Sequence, residues 1–249
     1  IQLPGDIASL QLPQQFNYLS PQDTKRVLEE GWGNPPSELS LGMIIPAQYG
    51  VLDDAGWGVV IEYSNDCHIS DDDAHAIDYA ELLSELQADE EAENEQRRAA
   101  GYPATHLVGW AATPYYDETK HKLHWARELQ FEGNEENTLN YNVRILGREG
   151  YLLLNAIGFM SQFDDINRDM GTVLEFTNFN SGYRYEDFNP EYDKVAAYGI
   201  GALVAGKLAA KAGLFAKLGI LLLALKKYAV ILLIGVAALF RKVYQSLRG

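Results

Sequence analysis

Hydrophobic and polar residues alternate most cleanly at Leu139, Tyr141, Val143 and Ile145, which are separated by Asn140, Asn142 and Arg144. A period of two puts the first set on one face of a strand and the second on the other. Flanking runs predict companion strands at 105–112, 123–131 and 151–159. Their connections, 114–120, 132–137 and 147–150, are short, so the four strands form an antiparallel meander. Tyr151–Leu154 is apolar at every position, which suits a central strand covered on both faces. Upstream, 10–13 reads as a short strand. Met43–Pro46 and Trp57–Tyr63 read as a hairpin joined through Asp53-Asp54-Ala55-Gly56.

Three helices interrupt these strands. Ser20-Pro21-Gln22-Asp23 combines an N-cap serine, a proline at the first helical position and an early acid; this helix ends near Gly31. Asp78 followed by Glu81 opens a second, whose apolar face is Leu82, Leu83 and Leu86. From Asp89 to Glu95 its side chains are almost all acidic, so this half is expected to project into solvent. Gly101 and Pro103 end it. Ser161 is expected to cap a third helix through Met170, with Phe163, Ile166 and Met170 inward and 173–176 as a final turn or strand. The fold class is therefore α+β, an antiparallel sheet with covering helices.

From Val195 onward the pattern changes. Residues 195–240 contain no Asp, Glu or Pro. Gly199, Gly206 and Gly213 are seven apart, and Ala202, Ala209 and Ala216 repeat the period three residues later. At about 100° per residue all six share one face of a helix. Glycine costs about 1 kcal/mol in a helix interior. Three in register are explained if the stripe lets two helices approach closely, with a left-handed crossing. Lys207 and Lys211 lie away from the stripe and Lys217 at its edge. Three readings stand for them: snorkelling from a helix in the membrane interface, lining a wet lumen, or pairing with acidic groups. Lys226-Lys227 interrupts the apolar run, leaving two layouts, a helical hairpin turning there or a single crossing. The expected organisation is an acidic domain at 1–182, an aromatic linker at 183–194 and basic membrane helices at 195–249. The linker either lies at the membrane interface or packs on the domain.

Charge divides the chain at the same place. The net charge is −15. Residues 194–249 carry nine basic side chains and no acid, whereas residues 1–193 carry eleven basic against 35 acidic ones, a net −24. This asymmetry points to a lipid bilayer as partner and away from nucleic acid. The single cysteine, Cys67, excludes an internal disulfide framework and a cysteine-based zinc site. The chain starts with Ile rather than Met, which fits removal of a segment such as a signal peptide.

Candidate chemistry is sparse. In Asp66–His75, carboxylates such as Asp71 and Asp73 have oxygens suited to calcium, and His68 and His75 have nitrogens suited to a transition metal. The spacing matches no EF-hand or zinc pattern, and a solvated loop capping the next helix is the simpler reading. No metal or cofactor is expected. His121 and His124, three apart on a strand, face opposite ways and cannot chelate together. Arg148 and Glu149 are expected to be solvated turn residues.

Gly101-Tyr102-Pro103, Val108-Gly109-Trp110, Leu139-Asn140-Tyr141-Asn142, Leu146–Gly150, Tyr185–Pro190 and Asp193–Gly199 together resemble an uncharacterised bacterial family of membrane-anchored proteins, defined by a domain of unknown function. The resemblance implies a secreted N-terminus, a periplasmic domain and an anchor in the inner membrane of Gram-negative bacteria. It supplies no catalytic residues. The element order also loosely resembles PsbP-type folds. The expected function is a non-enzymatic envelope scaffold or docking module that self-associates through the small-residue stripe and meets other envelope proteins. The alternative is a homo-oligomeric pore whose lumen is lined by lysines among Lys207, Lys211, Lys217, Lys226 and Lys227. A metal-dependent enzyme using 66–75 is a distant third.

Overall fold

In the computed structural model, residues 1–53 and 55–205 are described. The elements run β1 (Ala8–Leu10), β2 (Phe16–Leu19), α1 (Pro21–Arg26), β3 (Gly42–Pro46), β4 (Gly58–Ser64), α2 (Tyr79–Ala99), β5 (Thr105–Asp117), β6 (Lys122–Phe131), β7 (Thr138–Gly147), β8 (Gly150–Phe159), α3 (Phe163–Phe176), β9 (Thr177–Phe179) and α4 (Ile200–Ala205). Seven strands form one antiparallel sheet in the order β2-β3-β4-β8-β7-β6-β5. The expected meander and hairpin are both present. β8 lies between β4 and β7, near the middle of the sheet, the central place that its apolar run predicts.

The main core lies between one sheet face and α3. Ile166, Met170 and Val173 of α3 pack against Ile61, Val143 and Leu154, all fully buried. Burying each such side chain contributes about 1.5–3 kcal/mol. The third helix is longer than its pattern predicts. Residues 173–176 form its last turn, and the Thr177 hydroxyl then donates to the Val173 carbonyl at 2.7 Å. Ser161 lies in a preceding 3-10 turn rather than at the cap. β9 follows at once and pairs with β1, Ala8 opposite Phe179. Neither β9 nor β2 stands out in the sequence, because strands of three or four residues have no local period to detect; their registers come from distant partners.

The helix starts follow the capping residues. The Ser20 hydroxyl accepts the Asp23 amide at 3.2 Å, and the Asp78 carboxylate accepts the Ala80 and Glu81 amides at 2.9 and 3.1 Å. Beyond Arg26 the first helix widens into a π turn, Val27–Gly31. β5 runs through Pro114 instead of ending before it. It is the edge strand, and its register shifts between Ala112 and Tyr115, so the missing N–H breaks no continuous ladder.

The second half of α2 does not simply project into solvent. Gln87 donates to the Leu107 carbonyl at 2.9 Å, and Glu90 accepts the Leu107 amide. Asn94, buried, makes a two-point contact with the Thr105 carbonyl and amide at 3.0 and 2.8 Å. These side chains substitute for a neighbouring strand and cover an edge that otherwise invites pairing with another chain.

The polar sheet face is also covered in part. Asn155, Asn140 and Asn142 are linked by side-chain hydrogen bonds at 2.9 and 2.6 Å. The Arg144 guanidinium lies over the Trp125 ring, 4.7 Å from its centroid, and burial lowers its pKa to about 10. Arg127 on the same face donates to the Val204 carbonyl of α4, whose Ile200, Leu203 and Val204 are buried.

The chain divides into two units, Ile1–Val204 and Ala205–Gly249. Among the described residues no helix is long and apolar enough to cross a membrane. Gly206, Ala209, Gly213, Ala216 and the five lysines Lys207, Lys211, Lys217, Lys226 and Lys227 lie outside the described residues.

Candidate functional site

The loop after β4 carries the acidic stretch, and the chain returns to it from three places. Ser64 and Tyr198 both donate to one Asp66 oxygen, at 2.8 and 2.7 Å. The His68 amide donates to the Lys194 carbonyl at 2.9 Å and its carbonyl accepts the Ala196 amide at 2.8 Å. These bonds form a short parallel bridge between His68 and Val195. Asp73 accepts the Ile200 amide at 2.9 Å, at the start of α4. The same carboxylate fills the space beside Gly199, where an added Cβ would lie 2.4 Å from it. Gly199 therefore precedes the helix and has a local reason to be glycine. Ala202, also from the proposed stripe, lies within α4, half-buried.

Asp71 is the centre of the cluster. Its two oxygens accept the Tyr116 hydroxyl at 2.8 Å and the Tyr185 hydroxyl at 3.2 Å. Tyr185 also reaches the Ile69 carbonyl at 3.1 Å. His121 Nδ1 lies 3.1 Å from the Tyr116 hydroxyl and 3.3 Å from Asp71. The imidazole stacks on Tyr185 at 4.0 Å, and His68 stacks on Phe188 at 3.9 Å. Burial by itself raises the Asp71 pKa, but hydrogen bonds from the two tyrosine hydroxyls, with a backbone amide and His121, together make the net shift downward. Burial and the Asp71 carboxylate push both tyrosine hydroxyls up, so they stay protonated donors. Burial lowers His68, leaving its imidazole neutral at pH 7. Two backbones in the cluster are in the left-handed region, Cys67 at φ 68° and His121 at φ 50°. Such positions cost about 1–3 kcal/mol and persist where their surroundings fix them.

The linker is thus packed on the domain. Arg148, in the two-residue turn between β7 and β8, is not a free turn residue. It makes a two-point pair with Asp193 at 2.8 and 2.9 Å, and its amide donates to the Tyr183 carbonyl. The Arg148 guanidinium and the Asn189 amide hold the Asp193 carboxyl below its ordinary value. Gly147 permits this approach, since a Cβ there would meet the Phe179 ring and the Tyr183 carbonyl at under 3 Å.

The four metal-candidate residues are dispersed. Asp71 bonds tyrosines, Asp73 caps α4, His68 is inside the aromatic stack, and His75 is exposed and paired with Glu118. Among the described residues no group of three or more His, Cys, Asp or Glu side chains is placed to hold a metal. What the sequence reading missed is the trio Tyr116, His121 and Tyr185. The available signals were a tyrosine and a histidine bracketing the β5–β6 turn and the aromatic density of 183–192.

Beside the cluster lies an open cleft of about 550 Å³. His121 and Tyr185 line it. Lys120, Lys122 and Arg184 contribute cations, and Asn178, Asn180 and Ser181 contribute neutral polar groups.

A family model described as "Protein of unknown function (DUF2167)" matches residues 1–237. No curated protein matches. Solved structures with some likeness include cyanobacterial PsbP from Synechocystis sp. PCC 6803, at 10% identity and TM-score 0.40, covering 72% of this chain and 91% of that one. Another is LpqN, described as involved in cell envelope biogenesis of Mycobacterium tuberculosis, at 14% identity and TM-score 0.36, covering 70% and 83%. Likenesses this distant carry no argument about function.

Proposed function

The chain belongs to the DUF2167 family of unknown function, and from that premise we propose that it is a non-enzymatic, membrane-anchored envelope protein whose acidic domain serves as a docking or scaffold module. The observation that carries this reading is the fastening of residues 183–200 to the domain. Arg148 with Asp193, Asp71 with Tyr185, Asp66 with Tyr198 and Asp73 with the Ile200 amide tie the segment down at four points. A free tether lets a domain move independently of its anchor. A fastened one suits a module that presents a fixed surface. The Asp66, Asp71 and Asp73 carboxylates each accept from a tyrosine hydroxyl or a backbone amide, which suits an architectural role better than proton transfer to a substrate.

The anchor is assigned to the basic, acid-free residues 206–249, with the domain on the periplasmic side of an inner membrane and self-association through Gly206, Ala209, Gly213 and Ala216. Membrane fractionation followed by cross-linking and native mass spectrometry in mild detergent tests both parts. The expected result is recovery from membranes as an oligomer that Gly206→Leu with Gly213→Leu dissociates. Recovery as a water-soluble monomer contradicts the anchor, and an oligomer unaffected by the double variant removes the stripe as its interface.

A further inference from the structure

The cleft beside His121 has the wrong charge for the domain that contains it. Residues 1–193 hold only eleven basic side chains against 35 acidic ones, yet Lys120, Lys122 and Arg184 all line this one depression, with Glu186 as its single lining carboxylate among the described residues. Their charges are weakly matched. Lys120 and Arg184 reach their nearest carboxylates, Asp117 and Glu186, at 4.0 Å, the outer limit of an ion pair. Lys122 donates to the Leu174 carbonyl at 2.9 Å and, among the described residues, has no carboxylate at ion-pair distance. Holding like charges together in a cleft costs energy unless an anion offsets it. The cleft also offers neutral donors, including Asn178 and Ser181, and its volume falls within the range of small-molecule sites.

We propose that this cleft binds a phosphate-bearing ligand, with Lys120 and Lys122 as point charges on its oxygens and the planar Arg184 guanidinium as a two-point donor. The same chemistry is presented by free inorganic phosphate and by the glycerophosphate headgroup of an anionic lipid, and the test separates them. This site does not use the small-residue stripe, but Arg184 and Tyr185 reach it through the fastening of 183–200 on which the scaffold reading rests; titration of the folded chain reads ligand binding apart from anchoring and self-association.

The test is isothermal titration of the full chain in mild detergent with inorganic phosphate and, separately, with glycerophosphoglycerol, the deacylated headgroup of phosphatidylglycerol. At least one is expected to bind. Lys120→Gln with Arg184→Gln removes two exposed charges without touching the core and is expected to weaken binding about tenfold or more. Arg168→Gln, on α3 outside the cleft, is expected to leave it unchanged. Lys122→Gln serves as a second variant, checked for folding by circular dichroism. Binding of phosphate assigns a free-phosphate site, and binding of the headgroup alone assigns a lipid site. If neither binds, or if the double variant binds as well as the parent, the proposal is overturned.

Discussion

The loop Asp66–Asp73 and the helical stretch Asp89–Glu95 are both rich in carboxylates, but they use them in opposite ways. In the loop, Asp66, Asp71 and Asp73 accept donors from Tyr198, Tyr185 and Ile200, residues more than 100 positions away. In the helix, Asp89, Glu91, Glu93 and Glu95 are exposed, and only Glu90 and the neutral Asn94 contact the sheet. Acidic composition is thus compatible with a structural hub or a solvated face. What decides between them is whether later segments of the chain return with donors.

Asp71→Ala removes the carboxylate that accepts both the Tyr116 and the Tyr185 hydroxyl, leaving Tyr185 the Ile69 carbonyl and Tyr116 the His121 imidazole, at an expected cost of about 2 kcal/mol in denaturant unfolding. A change below about 0.5 kcal/mol would put the loop in the same class as the exposed helix face. Asn94→Ala tests the opposite side, at the buried two-point contact of the acidic helix with the sheet edge. It strands the Thr105 amide and carbonyl at the sheet edge, and a loss of about 2 kcal/mol is expected, with increased aggregation as the edge is uncovered. Tyr185→Phe keeps the ring stacking but removes the hydroxyl, and about 1 kcal/mol is expected to be lost. Glu91→Gln, Glu93→Gln and Glu95→Gln together are expected to stay within about 0.5 kcal/mol of the parent.

Titration sharpens the same contrast. Burial, then the charge of Lys122, lowers the His124 pKa to about 4; Lys120 adds to this and Asp117 opposes it. A base with a depressed folded pKa binds fewer protons folded than unfolded, so stability is full above pH 6.5 and declines as pH falls from 6.5 toward 4. His68, also lowered by burial, adds to that decline. Asp71 and Asp193 are lowered from 3.8, so their contribution is present above that pH and is lost as pH falls further. Unfolding curves between pH 7 and pH 3 should show both phases, and His124→Gln should flatten the first.

The sequence makes the sheet legible because β6, β7 and β8 are long enough to show their period and their connections are short. It makes the helix starts legible because Ser20 and Asp78 are caps whose geometry is local. The site is a different matter. Asp71, the Tyr116–His121 pair and Tyr185 come from three separate stretches, and no spacing relates the three. Arg148 looks like any turn residue until Asp193 arrives 45 positions later. Gly199 fits a seven-residue stripe on paper, but its neighbour in space is the Asp73 carboxylate. Periodicity reports the face of an element, not the segment that will cover it.

The central claim is that residues 183–200 are part of the domain rather than a free tether. Amide hydrogen exchange at Ala196 and His68, whose N–H groups bond across the His68–Val195 bridge, tests it most directly. Strong protection is expected at both amides in the parent chain, with faster exchange in Asp71→Ala and Arg148→Ala. Exchange of both amides at unprotected-chain rates in the parent would contradict it.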